Sequence, residues 1–78
     1  MRAAYAESGL APSAVSFVEC HATGTSVGDA TELASLRAVF EGASDVPLGS
    51  LKANLGHLIT ASGTAALIKV LAAMKARV

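Results

Sequence analysis

Apolar residues recur at two different spacings along this chain. Val15, Phe17 and Val18 crowd into the short run VSFVEC, which follows an Ala11-Pro12-Ser13 turn and precedes polar residues. A short run of β-branched and aromatic residues after a turn predicts a strand over 15–21. Ser16 and Glu19 break strict alternation, which suits a strand covered on both faces, as in a parallel sheet. Val46–Leu51, entered through Pro47, predicts a second short strand. Leu33, Leu36 and Phe40 instead lie at i, i+3 and i+7, one face of a helix and a core stripe. Asp29 and Glu32 put carboxylates at the start of that helix, where unpaired N–H groups favour negative charge. Gly42 is a suitable terminator.

Met1–Ser8 reads as a helix stopped by Gly9. A second Ala-rich helix is predicted from about Thr60 or Ser62 to Ala76, with Lys75 and Arg77 at its negative end. Lys69 would snorkel from an apolar face of this helix. His21–Gly28 and Lys52–His57 read as polar loops. The order helix, strand, loop, helix, strand, loop, helix predicts an α/β layered fold with a parallel or mixed sheet. Two strands do not make an independently stable sheet, so an incomplete domain is expected.

Composition sharpens this expectation. The chain has 78 residues, of which 53% are hydrophobic and 15% charged, and its mean hydropathy is +0.54. A domain this short buries only about 60% of the surface its unfolded chain exposes. So apolar a chain is expected to leave surface in contact with the remainder of a larger domain, a partner or a membrane. Its longest apolar stretch, Leu58–Met74, is interrupted by Thr60, Ser62, Thr64 and Lys69. We therefore read it as a buried helix and not as a membrane span.

The formal net charge is zero. Scattered basic residues and only three aromatic side chains, Tyr5, Phe17 and Phe40, argue against nucleic-acid binding. Cys20 is the single cysteine, so neither an internal disulfide nor a multi-cysteine metal framework is available. A reducing, cytoplasmic setting fits this. The N-terminal residues MRAAYAESGL lack the apolar core of a secretory signal.

Both polar loops follow the C-terminal end of a strand, where open α/β sheets bind ligands. HATGTSVGD carries His21, Thr23, Gly24, Thr25 and Asp29, and KANLGH carries Lys52, Asn54, Gly56 and His57. If the strands are neighbours, both histidines and the lysine converge on one pocket. Cys20 and His21 point to opposite faces of a strand, so they do not form a dyad, and Cys20 packs as a small hydrophobe. The histidine spacing matches no short metal-ligand pattern, and no metal is expected. Gly24 and Gly28 fit neither G-x-x-x-x-G-K-[ST] nor G-x-G-x-x-G.

HATGTSVGDATEL resembles the His-x-Thr-Gly-Thr motif of β-ketoacyl synthases, and VPLGSLKANLGHLITASGTAALIKVL resembles their Lys-x-Asn-x-Gly-His motif with the helix behind it. The resemblance covers the chain from about Tyr5 to Met74 and is nearest to the ketosynthase domain of modular polyketide synthases, whose relatives include fatty-acid synthases. It implies that residues 1–78 are a fragment from the C-terminal half of such a domain, with part of a thiolase-like layered fold. It implies decarboxylative Claisen condensation of a cysteine-bound acyl group with a malonyl-type extender. The extender rides on the phosphopantetheine arm of an acyl carrier protein, with no further cofactor. His21 and His57 would be the catalytic histidines and Lys52 the active-site lysine. Thr23 and Thr25 would bond the phosphopantetheine arm, with Gly24, Asn54 and Gly56 shaping the loops. The family often has glycine where Ala22 stands; alanine there is expected at negative φ, with little effect. The nucleophilic cysteine matches no position here, so the chain by itself is expected to be inactive.

The same resemblance implies a homodimeric parent, the remainder of the ketosynthase domain as partner, and no membrane association. Two other classes remain open from sequence. One is a small binding module for an anion or a thioester cofactor, which should unfold cooperatively by itself. The other is a structural or regulatory remnant that pairs with a synthase through its Ala-rich helix.

Overall fold

A computed structural model describes residues 1–43 and 45–78. Helix α1 (Arg2–Ser8) ends at Gly9, whose φ of 69° is the left-handed cap predicted. A 3-10 turn, Pro12–Ala14, leads into strand β1 (Val18–Glu19). Helix α2 (Ser26–Phe40) then crosses to strand β2 (Leu48–Gly49). A single helical turn, α3 (Lys52–Leu55), and a 3-10 turn, Ile59–Ala61, precede helix α4 (Ser62–Ala76). The strands pair in parallel, Val18 opposite Leu48 and Glu19 opposite Gly49. The expected helix–strand alternation and parallel pairing are therefore present, with few strand residues.

Both strands are much shorter than their apolar runs, for a reason visible at their ends. The ladder carries Val18 N–H to Pro47 O at 3.0 Å and Cys20 N–H to Gly49 O at 2.7 Å. Beyond it, the next N–H groups turn to carboxylates. His21 and Ala22 donate to Glu32, and Leu51 donates to Glu19. Pro47 has no N–H to add at the start of β2.

Two predicted loops are partly helical. Helix α2 begins at Ser26, because Thr25 caps it by accepting the Gly28 N–H at 3.2 Å. Asp29 thus lies in the first turn, as expected. Lys52–Leu55 closes one helical turn, with Gly56 N–H bonded to Lys52 O at 2.8 Å.

The sheet separates two helices. Cys20, Leu48 and Gly49 share a cavity of about 290 Å³ with Leu33 and Leu36 of α2. Phe17 and Glu19, two residues apart and so on one strand face, meet Lys69 of α4. Helix α1 rests on the far end of α2. Tyr5 stands edge-on to Phe40 at 5.8 Å, and the Arg2 guanidinium donates to Ala38 O at 3.1 Å.

Burial departs from expectation. Among the described residues Leu36 is the one buried apolar side chain, at 5% exposure. Within the predicted core stripe, Phe40 is half-buried and Leu33 is 45% exposed. Helix α4, expected to be buried, has no buried residue, and Met74 is 69% exposed. By length and composition Ile59–Ala76 could cross a membrane. In this fold, however, Lys69 ties the helix to β1. Nothing among the described residues covers the outer face of α4, so its apolar side chains stay in solvent.

Such a structure has little to unfold cooperatively. The 78-residue chain by itself is expected to bind a hydrophobic dye such as anilinonaphthalene sulfonate. In urea it should unfold with a slope below about 1 kcal/mol/M. A steeper, sharp transition without dye binding would show that the chain covers its own apolar surface.

Candidate functional site

The C-terminal ends of β1 and β2 carry the two histidines. His21 follows β1 by two residues and His57 follows α3 by two. Their rings stand 5.7 Å apart, edge to face at 88°. Both histidines are exposed. Among the described residues, no three His, Cys, Asp or Glu side chains converge as a metal-binding group.

Each histidine loop is held by a carboxylate. Glu32, on the second turn of α2, accepts the N–H groups of His21 at 2.6 Å and Ala22 at 2.8 Å, one on each oxygen. Burial pushes the Glu32 carboxyl up, but these two backbone bonds and the charges of His21 and Lys52 outweigh it. The net direction is below the ordinary value of 4.5. Glu19 behaves alike. Burial raises its carboxyl, while the bonds from Lys69 and Leu51 and the nearby Lys69 and Lys52 charges bring it lower overall. A carboxyl lowered by folding contributes stability above its unfolded pKa, and the contribution is lost as pH falls through the folded value. The anchorage of both loops is therefore complete above pH 4.5 and weakens on acidification below it.

Lys52 opens α3, half-buried, and its charge reaches Glu19 and Glu32 together. That charge helps to keep both loop anchors ionised. Thr23 is half-buried. The Thr25 oxygen is engaged as the α2 cap, which leaves its O–H to donate. Gly24 adopts φ 85° and gives its N–H to Asp29 at 3.3 Å, closing the loop onto α2. Asn54 is exposed on α3.

Burial pushes the Cys20 thiol up, and the charges of Glu32 and Glu19 push it further, so it is poorly suited to be a thiolate nucleophile. The apolar cavity against α2 holds it, in keeping with packing as a small hydrophobe.

Backbone strain gathers beside both histidines. Ala22 has φ 34°, in place of the negative φ expected. Glu32 captures two successive N–H groups here, and that grip imposes the turn. Gly56 has φ 73° and ψ −175°, a region open essentially to glycine alone. Ile59, β-branched, has φ 54° and donates its N–H to His57 Nδ1 at 3.3 Å. A ring nitrogen that accepts carries no proton, so neutral His57 holds its proton on Nε2.

The sequence motifs point to both histidine loops but not to what holds them. In the sequence Glu19 shows only as a break in alternation, Glu32 as a helix-start residue and Lys69 as a snorkelling side chain. One signal is present: a strand carboxylate, a helix carboxylate and a lone lysine in apolar surroundings each need partners.

The strain has measurable consequences for a folded protein carrying these residues. Gly56→Ala should destabilise it by about 1–3 kcal/mol. Ala22→Gly should stabilise it by about 1 kcal/mol, the relieved strain exceeding the added freedom of the unfolded chain. Thermal unfolding measures both, and a stabilising Gly56→Ala would contradict this backbone.

The comparisons with known proteins agree in direction. The family model "Beta-ketoacyl synthase, C-terminal domain" matches residues 1–78. A 5-methylorsellinic acid synthase of Aspergillus terreus is 56% identical over 72 residues, covering 90% of this chain and 3% of that protein. The non-reducing polyketide synthase ascC of Acremonium egyptiacum is 51% identical over 74 residues, covering 91% of this chain and 4% of that protein. The non-reducing polyketide synthase stbA of Stachybotrys bisbyi is 54% identical over 69 residues, covering 85% of this chain and 3% of that protein. The chain thus spans only a few per cent of the length of the curated relatives it matches. No solved structure matches it. A family model spanning every residue and relatives near half identity lead to one assignment: the chain belongs to the β-ketoacyl synthase family, within its C-terminal domain.

Proposed function

We propose that this chain supplies the paired histidines of a polyketide-synthase ketosynthase catalysing decarboxylative Claisen condensation. The observation that carries the reading is the 5.7 Å edge-to-face approach of His21, just past β1, and His57, just past α3. In the reaction, the bond between the extender's α-carbon and its carboxylate breaks, and carbon dioxide leaves. The electron pair passes into an enolate, whose thioester oxygen becomes negative. Two neutral imidazole N–H groups aimed at that oxygen stabilise it as an oxyanion hole does. His57 has its donor on Nε2, because Ile59 N–H occupies Nδ1. The enolate carbon then attacks the acyl thioester. A carbon–carbon bond forms and the cysteine thiolate leaves.

That cysteine would come from the remainder of the ketosynthase domain, since burial and the charges of Glu32 and Glu19 push the Cys20 thiol up. By itself the chain would therefore be inactive. Lys52 would supply positive potential beside the donor pair and balance the two anchoring carboxylates. The free O–H of Thr25 and the hydroxyl of Thr23 suit the phosphopantetheine arm of an acyl carrier protein, with Gly24 allowing close approach. The uncovered faces of α2 and α4 fit a thiolase-like layered domain, completed by further strands and helices and dimeric as a whole.

The test is a chimera in which these residues replace the equivalent segment of the Aspergillus terreus relative. His21→Ala or His57→Ala should each lower malonyl-thioester decarboxylation by about 10²–10³-fold, while loading of an acyl group onto the cysteine persists. Decarboxylation at the parental rate in either variant would refute the donor-pair reading.

A further inference from the structure

The donor-pair reading uses His21, His57 and Lys52, takes Glu19 only as a loop anchor, and assigns nothing to Phe17, Gly49 or Lys69. Glu19 and these last three meet on the face of the sheet opposite α2. Lys69 Nζ lies 2.6 Å from Glu19 Oε2 and 5.2 Å from the centre of the Phe17 ring. The Glu19 side chain is 11% exposed. A Cβ on Gly49 would fall 2.8 Å from Phe17 Cζ and 3.1 Å from Lys69 Nζ, so a larger residue at this place in β2 would push the Phe17 ring and the lysine aside. With the Lys69 side chain 33% exposed, the ion pair adds little net stability, but it does fix a direction and a distance.

What it fixes follows from the other carboxylate oxygen. Glu19 Oε1 accepts the N–H of Leu51, the residue immediately before Lys52 and α3. Lys69 lies about two turns into α4, beyond His57 and the Ile59–Ala61 turn. One carboxylate therefore grips the chain on both sides of His57, at Leu51 and at Lys69. The same carboxylate belongs to β1, two residues before His21. We propose that the Glu19–Lys69 pair, cradled by Phe17 and Gly49, is a positioning device that sets the height of the Lys52–His57 segment relative to His21. The proposal rests on the donor-pair reading. Neither Glu19 nor Lys69 touches the reacting atoms; they act through the backbone that carries His57.

The chimeric synthase also serves here. Glu19→Gln keeps an acceptor for Leu51 N–H but removes the charge. Lys69→Met removes the cation and keeps the apolar stem, whereas Lys69→Arg keeps the cation. Glu19→Gln and Lys69→Met should each lower kcat for malonyl-thioester decarboxylation by about 10–100-fold, the range that a misplaced catalytic group produces. KM and the rate of cysteine acylation should hold, and Lys69→Arg should recover most of the loss. The double variant Glu19→Gln/Lys69→Met should lose no more than either single one. If Glu19→Gln does not fold, Lys69→Met and Lys69→Arg decide, and equal decarboxylation rates in those two overturn the proposal. His21→Ala in the same host separates the failures. If it abolishes decarboxylation while Lys69→Met does not, only the positioning role falls. If it leaves decarboxylation intact, both readings fall.

Discussion

The architecture depends on carboxylates that act as backbone ties. A parallel pair of two-residue strands offers very few ladder hydrogen bonds, and such a pair is marginal in water. Glu19 and Glu32 supply the missing ties at the sheet's C-terminal edge. Each accepts from the chain as it leaves the neighbouring element, and each is held ionised by those bonds despite partial burial. Hydrogen bonds to charged groups contribute about 1.5–3 kcal/mol, more than neutral ones. The loops that carry His21 and Lys52 are therefore fixed more firmly than the strands before them.

That firmness makes the local strain tolerable. Ala22, Gly56 and Ile59 all hold positive φ within two residues of a histidine. Strained backbone costs about 1–3 kcal/mol per residue and persists only where the surroundings over-determine it. At Ala22 the grip of Glu32 does this, and at Ile59 the bond to His57 Nδ1 contributes. Strain and anchorage converge on imidazole orientation. A donor pair is useful only if its N–H groups already point to where charge will develop, because reorienting them during the reaction would consume the benefit.

The remaining apolar surface explains why so small a chain shows so little core. Leu36 is enclosed, while Leu67, Ile68 and Leu71 of α4 remain open. A sheet with a helix on each face leaves the outer faces of both helices open among the described residues. The chain spans only a few per cent of the length of its relatives.

Much of this is legible in the sequence, for physical reasons that differ by element. Helix α1 and its Gly9 cap, the start of α4, and the helical spacing of Leu33, Leu36 and Phe40 rest on local propensity and periodicity, which neighbours in sequence carry. The motifs HATGT and KANLGH stand out because their residue types suit loops rather than a core. Strand length is not legible, because whether Leu51 N–H joins a ladder or a carboxylate depends on Glu19, far away in the chain. The sign of φ at Ala22 is equally hidden, since a hold by Glu32 across the loop overrides alanine's own preference. By itself, then, the sequence determined the alternation of helices and strands, the Gly9 cap and which polar residues the two loops carry. Tertiary structure decided where strands stop, which carboxylate each loop obeys and how closely His21 and His57 approach, because those outcomes need groups brought together from distant positions.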